Sequence, residues 1–429
     1  MKGVFKLKEH KTNLKKEVMA GFTSFFSIVY IIAVNGHILH DSGMPLEAGI
    51  IATIFASLVG CLLAAFVPNA PLMIVPGMGI NALFTYTFVG SMGLSYQEAL
   101  GAVVVSGVLF AIIAFSKLAS IISKSIPSSL KEAITVGIGL FIAFIGLQKS
   151  GLIVENPNNF VALGDLSSPI VLASIINLVI TLFLFLKKVP GNFLISIILG
   201  TLTSYFLGVI DFSHMDKGFI SLVDYRNVFL SFDFGKIATI PFWTATFSLT
   251  LVLVFENIGI LHSQVDGMLK APEKNGKALR AVSISAILCG LLGTSPPVST
   301  VESAAGITAG GRTGLTSVVT GFLILMSLFF LPLIKLVPNS AIAPILIILG
   351  GLMLTNIVNI DFTDFTEAFP AFLIILMIPL TYSIVDGIAF GFIAYPLVKL
   401  FTNKHKQLSI PIFIISFLFL TNFLLHSIG

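Results

Sequence analysis

The chain has 429 residues, 56% of them hydrophobic and only 10% charged, with a mean hydropathy of +1.03. A soluble domain carries about 25% charged residues, so this composition excludes a soluble enzyme or scaffold and leaves a polytopic membrane protein. The net charge of +4 does not point to nucleic acid, because the basic residues are scattered between apolar runs.

The first 17 residues are polar and Lys-rich, with no apolar h-region or A-x-A site before the first long run, so no signal peptide is expected. Membrane spans are expected at 18–36, 46–67, 71–90, 97–116, 130–148, 169–186, 191–210, 237–261, 278–294, 296–311, 314–334, 339–357, 365–383 and 384–401. A further apolar stretch covers 409–427 and reads either as another crossing or as an interfacial helix. Two runs make poor continuous helices. The run 71–90 holds Pro71, Pro76, Gly77 and Gly79, and 296–311 begins at Pro296 and Pro297. Proline lacks the amide hydrogen a helix interior needs, so each run is expected to be extended at first and helical later. Cys61 and Cys289 both fall in apolar segments, which argues against a disulfide framework.

With the N-terminus inside, the inner segments gather Lys15, Lys16, Lys131, Lys187, Lys188, Lys277, Arg280, Arg312 and Lys399. The outer segments hold far fewer basic residues, among them Lys149, Lys236 and Lys335. This asymmetry predicts a cytoplasmic N-terminus and an even number of spans through residue 401. The chain also resembles itself. V-V-V-S-G-V-L-F at 103–110 matches V-V-T-G-F-L-I-L at 318–325, and I-P-S-S at 126–129 matches V-P-N-S at 337–340. Seven spans separate corresponding elements, and an odd number per repeat inverts the second copy. Secondary transporters use this arrangement, with a site at the midplane where broken helices meet.

A carboxylate at membrane depth is costly and marks function by default. Glu256 lies late in the apolar run T-L-V-L-V-F-E-N-I-G-I-L, and Glu302 lies in P-P-V-S-T-V-E-S-A-A-G-I. Glu302 is expected near the N-terminus of a half-helix, where the helix dipole and free amides favour negative charge. Ser299, Thr300 and Ser303 add hydroxyls. A carboxylate that accepts two N–H donors side by side suits a planar heterocycle; the competing role is a plain helix cap. Glu256 is a candidate to bind substrate, to carry a coupling proton, or both, against a loop-facing position. Asn257 beside it is a second amide or an inner cap. Asn81, in P-G-M-G-I-N, offers an amide that donates and accepts, as the mixed edge of a nucleobase requires. Asn35 closes the first expected span and offers the same. Phe84 and Phe255 are stacking candidates by location, against a packing role. His37 and His40 read as outer-loop residues and Asp386 as a boundary residue. No Walker-type phosphate loop, zinc-spaced His/Cys cluster or G-x-S-x-G elbow is present. The chain therefore does not read as an enzyme, and no cofactor or metal is expected.

At these residues the chain resembles a known family. F-K-L-K-E-H, V-Y-I-I-A-V-N, V-P-G-M-G-I-N-A-L-F, G-T-S-x6-E-S-A-A-G-I, A-G-G-R-T-G-L-T and D-G-I-A-F-G-F-I-A-Y resemble the AzgA-like adenine/guanine/hypoxanthine permeases. These belong to the nucleobase–cation symporter (xanthine/uracil permease) group. The resemblance implies an all-α polytopic membrane protein with about fourteen segments in a seven-plus-seven inverted repeat, and short strands in segments three and ten. It implies core halves at 1–119 and 237–335, and gate halves at 120–236 and 336–429, the last with the extra C-terminal apolar segment. It carries the family's segment-eight acid onto Glu256, its segment-ten glutamate onto Glu302 and its segment-three polar residue onto Asn81. It implies proton-coupled import of a purine base at the cell membrane by an elevator-like movement, often in a dimer. One departure stands out: the family usually has F-D-T-x-G-T in segment eight, and this chain has F-E-N-I-G-I. The alternatives are a transporter of a pyrimidine base or other small planar or anionic solute, and a membrane receptor that binds a base without moving it.

Overall fold

The structure, a computed structural model, describes residues 4–211 and 223–428. The chain opens with α1 (Leu14–Ile28) and α2 (Tyr30–His40), which form one rod over Leu14–His40. The Asn13 side chain starts this rod by accepting from Lys16 N at 2.9 Å, which satisfies one of the free amides of the first turn. α3 (Leu46–Phe66) leads to a short strand, β1 (Ile74–Pro76), then α4 (Met78–Ala82), which widens into a π-helical run over Leu83–Ser91. α5 (Tyr96–Phe115) begins in a capping box between Ser95 and Glu98. The short α6 (Leu118–Ser125) and the long α7 (Ser128–Lys149) follow. A hairpin of β2 (Ile153–Asn156) and β3 (Phe160–Leu163) precedes α8 (Pro169–Leu186) and α9 (Asn192–Phe206).

After the four-residue α10 (Val223–Arg226), the order repeats. α11 (Ile240–Leu261) continues as a π-helical turn over His262–Met268 and corresponds to the first rod. α12 (Asn275–Leu292), β4 (Pro297–Ser299), α13 (Ser303–Thr308) and α14 (Gly314–Met326) follow α3, β1, α4 and α5 in kind. α15 (Leu331–Lys335), α16 (Asn339–Leu354), α17 (Phe365–Thr381) and α18 (Ile384–Phe401) follow α6 to α9. α19 (Ile410–Ile428) lies outside the repeat and packs on α18 and α6.

The packing obeys the same two-fold relation. α3 packs on α14 as α12 packs on α5, α1 on α14 as α11 on α5, and α17 on α7 as α8 on α16. β1 and β4 are the symmetric centre. They pair antiparallel, with Ile74 opposite Ser299, Val75 opposite Val298 and Pro76 opposite Pro297. An inverted repeat requires this geometry, because equivalent strands must cross in opposite directions. Gly60 allows the crossing to sit against α3: a Cβ there would lie 2.0 Å from the Ile74 carbonyl oxygen, inside hard-sphere contact.

Ten helices among the described residues are long and apolar enough to cross a membrane. The shorter apolar helices Asn192–Phe206 and Phe365–Thr381, and the two strand-plus-helix segments, complete the fourteen expected runs. One boundary differs. The first rod extends to His40, so Asn35, His37 and His40 lie in α2, and neither histidine is a loop residue. Helix α2 continues to the turn at Asp41–Gly43 because no proline or glycine pair interrupts it.

Contacts divide the helices into two groups. α1 to α5 pack with α11 to α14, while α7 to α9 pack with α16 to α18. The second group has its own buried polar centre. Lys399, at 0% exposure, pairs with Glu367 at 2.6 Å and donates to Thr366 Oγ1 and Gln407 Oε1, each at 2.8 Å. Glu367 also accepts from Tyr395 at 2.8 Å and from Ser129, so α7, α17 and α18 are tied at one end. A buried ion pair needs such full satisfaction to offset its desolvation. Nearby, the Lys404 ammonium and the Thr366 hydroxyl and amide hold the Asp364 carboxyl well below the usual range.

Between the groups the contacts are sparser and specific. Asp41, at the end of α2, meets Lys149 of α7 at 2.6 Å and accepts from the Tyr86 hydroxyl at 2.6 Å. The Tyr86 ring packs edge-on against Phe141 and Tyr382, and Thr87 Oγ1 accepts from Ile384 N at 3.1 Å. The lysines expected outside are thus matched by acids: Lys149 by Asp41, Lys236 by Glu98 at 3.1 Å and Lys335 by Glu47 at 2.8 Å.

Candidate functional site

The site builds up from the β1/β4 crossing. Met73 and Thr300 extend it: Thr300 N donates to the Met73 carbonyl at 3.0 Å, and Met73 N donates to Ser303 Oγ at 2.9 Å. α11 is bolted to the same strand. Asn257 Oδ1 accepts from Ser299 N at 3.0 Å, while Asn257 Nδ2 donates to the Leu253 carbonyl at 2.9 Å. Two turns on, Gln264 donates to the Thr300 carbonyl at 2.6 Å and accepts from Ser299 Oγ at 2.8 Å. These bonds fix the two acids relative to each other. Glu256 immediately precedes Asn257, and Glu302 follows Ser299 by three residues.

Glu302 occupies the cap position of α13, yet its side chain makes no cap hydrogen bond. α13 is only six residues long, so few aligned peptide dipoles stand behind it, and the expected stabilisation by a helix terminus is small. The carboxylate turns instead to Tyr30, whose hydroxyl donates to Oε1 at 2.6 Å. The Thr300 hydroxyl and the residue's own amide also interact with this carboxylate. Glu256, half-buried within α11, has no hydrogen bond or ion pair to its carboxylate among the described residues. It sits inside a helix that runs on to Met268, so the loop-facing position is excluded.

Asn81 is the most informative polar group. It is fully buried in α4, and neither its amide nitrogen nor its carbonyl oxygen has a partner among the described residues. Thr85, four residues further on the same half-helix, is buried with its hydroxyl equally unpartnered. Orphaned buried polar groups cost about 1–3 kcal/mol each and are rare. Each marks a place that a ligand or a water can complete.

The other expected contacts divide clearly. Asn35 is engaged inside the protein: Nδ2 donates to Thr53 Oγ1 at 2.7 Å and Thr294 Oγ1 at 3.2 Å, and Oδ1 accepts from Ser295 at 3.5 Å. It joins α2 to α3 and to the segment before β4, which is a structural role. Ser299, Thr300 and Ser303 spend their hydroxyls on Gln264, Met73 and the Met73 amide, so they hold the crossing together. Phe84 is fully buried in the core, whereas Phe255 is half-buried beside Glu256.

Known proteins resemble this chain along most of its length. The model of a permease family, the xanthine/uracil permeases, matches residues 15–390. The nucleobase transporter PlAzg2 of Paenibacillus larvae is 49% identical over 386 residues, covering 89% of this chain and 77% of that one. The chain belongs to the xanthine/uracil permease family. The guanine/hypoxanthine permease PbuO of Bacillus subtilis is 39% identical over 430 residues, covering 97% of this chain and 98% of that one. Among solved structures, the transmembrane domain of the cyanobacterial bicarbonate transporter BicA superposes with a TM-score of 0.69 at 17% identity, over 88% of this chain and 97% of that one. At that identity the likeness shows the fold alone.

Sequence reasoning missed several residues that build this permease's site. Tyr30 sits in V-Y-I-I-A-V-N, where no motif singles it out; a buried phenol usually finds a partner, which is the signal that could have found it. Gln264 lies beyond the expected end of its span. Glu17 reads as part of the charged N-terminal flank, yet it is 0% exposed. It accepts from Arg312 N at 3.0 Å, Thr313 N at 3.3 Å and Thr316 Oγ1 at 2.6 Å. Arg312 in turn donates to the carbonyls of Ile307 and Gly311, both at 2.7 Å, and closes the C-terminal end of α13. The A-G-G-R-T-G-L-T motif therefore holds the half-helix that follows Glu302.

Proposed function

We propose that this permease imports purine nucleobases of the hypoxanthine, guanine and adenine class, driven by proton symport. The observation that carries the reading is the orphaned carboxamide of Asn81, buried on the half-helix that leaves the same strand crossing from which Glu302 departs. Two carboxylates present acceptors to ring and exocyclic N–H groups, and the amide supplies a donor and an acceptor for the remaining edge. An uncharged purine satisfies all three. An anion meets two negative groups instead, which disfavours an inorganic anion as cargo. The printed names of PlAzg2 and PbuO support the substrate class.

The two packing groups suit an elevator movement, with core halves at 1–119 and 237–335 sliding against gate halves at 120–236 and 336–429. The sparse contacts between them, led by Asp41–Lys149, are the ones such a movement breaks. Glu256, with no partner for its carboxylate among the described residues, is the proton carrier in this account, and Glu302 grips the substrate. The protein sits in the cell membrane with its N-terminus cytoplasmic in this account, because Lys and Arg are concentrated in the segments that then lie inside. A homodimer is expected by analogy with the family.

A competition panel tests the substrate class. Uptake of labelled hypoxanthine into cells expressing the protein should be suppressed by excess unlabelled guanine, hypoxanthine or adenine, and unaffected by uracil or bicarbonate. Suppression by uracil equal to that by hypoxanthine would move the assignment to pyrimidines.

A further inference from the structure

Tyr30 touches both the Glu302 carboxylate and the opposite packing group. Its hydroxyl donates to Glu302 Oε1 at 2.6 Å. Its ring meets Phe193 of α9 edge to face, with centroids 4.9 Å apart, and Phe193 stacks in turn on Phe185 of α8 at 6.0 Å. Tyr30 itself is 2% exposed. α8 and α9 pack with α16, whereas α2, which Tyr30 begins, packs with α3 and α4. The residue therefore stands at a boundary between the two groups, with its polar end on one and its ring edge on the other.

We propose that Tyr30 is a positioning residue that makes the orientation of the Glu302 carboxylate depend on where the gate group stands. The inference rests on the transport reading above. In the arrangement seen here the phenol fixes Oε1 and so sets the plane in which the carboxylate meets a substrate N–H. A sliding movement of the core past α9 carries Tyr30 off Phe193. The ring then loses the wall that sets its tilt, an aromatic contact worth about one hydrogen bond's net energy, and the hydroxyl is no longer held over Oε1. Grip on the substrate is thereby strong on one side of the cycle and relaxed on the other, which a carrier needs in order to release its cargo. No proton or bond changes hands in this step; only the geometry of the acceptor changes.

The test is a double-mutant cycle in proteoliposomes, reading the KM and the pH profile of hypoxanthine uptake. Tyr30→Phe keeps the ring and removes the hydroxyl. Phe193→Leu keeps the hydroxyl and removes the aromatic wall without touching Glu302. Tyr30→Phe should raise KM roughly tenfold and alter the pH profile. Phe193→Leu should raise KM in the same direction, and the double variant should be no worse than Tyr30→Phe alone. If Phe193→Leu does not elute as a single folded species, Phe185→Leu probes the same ring stack one residue further out. Unchanged KM in either single variant, or effects that multiply in the double variant, overturns the proposal. A wild-type protein that does not take up hypoxanthine defeats the transport reading instead, so the two failures are distinct.

Discussion

Glu302→Gln is expected to abolish saturable hypoxanthine binding and uptake, with apparent affinity falling roughly 100-fold or more. The argument is one of donors and acceptors. In the wild type, Tyr30 donates to one carboxylate oxygen, and in the proposed site the carboxylate also accepts from the substrate. Glutamine can offer its carbonyl to the phenol, but its amide then faces the substrate N–H, and two donors oppose each other. The loss includes a charge-assisted hydrogen bond, about 1.5–3 kcal/mol, plus the cost of leaving the base's N–H unpaired in a dry site. The fold should survive, because the bonds that hold the crossing run through Asn257, Gln264, Met73 and Ser303 rather than through the carboxylate. Isothermal titration on purified variant reads the effect directly. Affinity within twofold of wild type would reduce Glu302 to a structural residue.

Glu256→Gln should separate exchange from accumulation. In a symport of one proton per base, a gradient of two pH units supports up to about 100-fold accumulation, since each unit is worth 1.36 kcal/mol. Glutamine keeps the size and hydrogen-bonding outline of the acid but cannot load a proton. The variant should therefore still exchange labelled for unlabelled base in counterflow, while its steady-state concentration ratio under an inward proton gradient falls to unity. A ratio equal to wild type would transfer the proton-carrier role elsewhere, with Glu302 the next candidate. The segment-eight departure bears on the same residue. A glutamate in F-E-N-I-G-I reaches one methylene further than the aspartate of F-D-T-x-G-T, so Glu256→Asp is a natural companion variant for asking which purine the pocket prefers.

Much of this architecture was legible in the sequence, for identifiable reasons. Proline and glycine report backbone conformation directly, so Pro76–Gly77 and Pro296–Pro297 located the two strands, and the spacing between them exposed the inverted repeat. Long apolar runs report spans for the same reason, since a bilayer leaves a helix few alternatives. The register that puts Ile74 opposite Ser299 was not legible, because it depends on a contact across more than half the chain. Side-chain partners were harder still. Asn35 and Asn81 look alike in sequence, each an amide in an apolar run, yet one is satisfied by Thr53 and Thr294 and the other by nothing among the described residues. Only the packing of α2 against α3 decides between them. Glu17 is the converse case: it ends the polar, Lys-rich stretch of the first 17 residues, yet three donors from residues 312–316 draw it into the core.

The central claim is that Glu256, Glu302 and Asn81 close around one uncharged ring at the crossing of two broken helices. A cryo-electron microscopy map of the protein prepared with saturating hypoxanthine tests it most directly. The account predicts density for a flat bicyclic ring beside the β1/β4 crossing, within hydrogen-bonding distance of both carboxylates and of the Asn81 amide. Ring density elsewhere, or a crossing filled by side chains with the two acids turned toward bulk water, would contradict it.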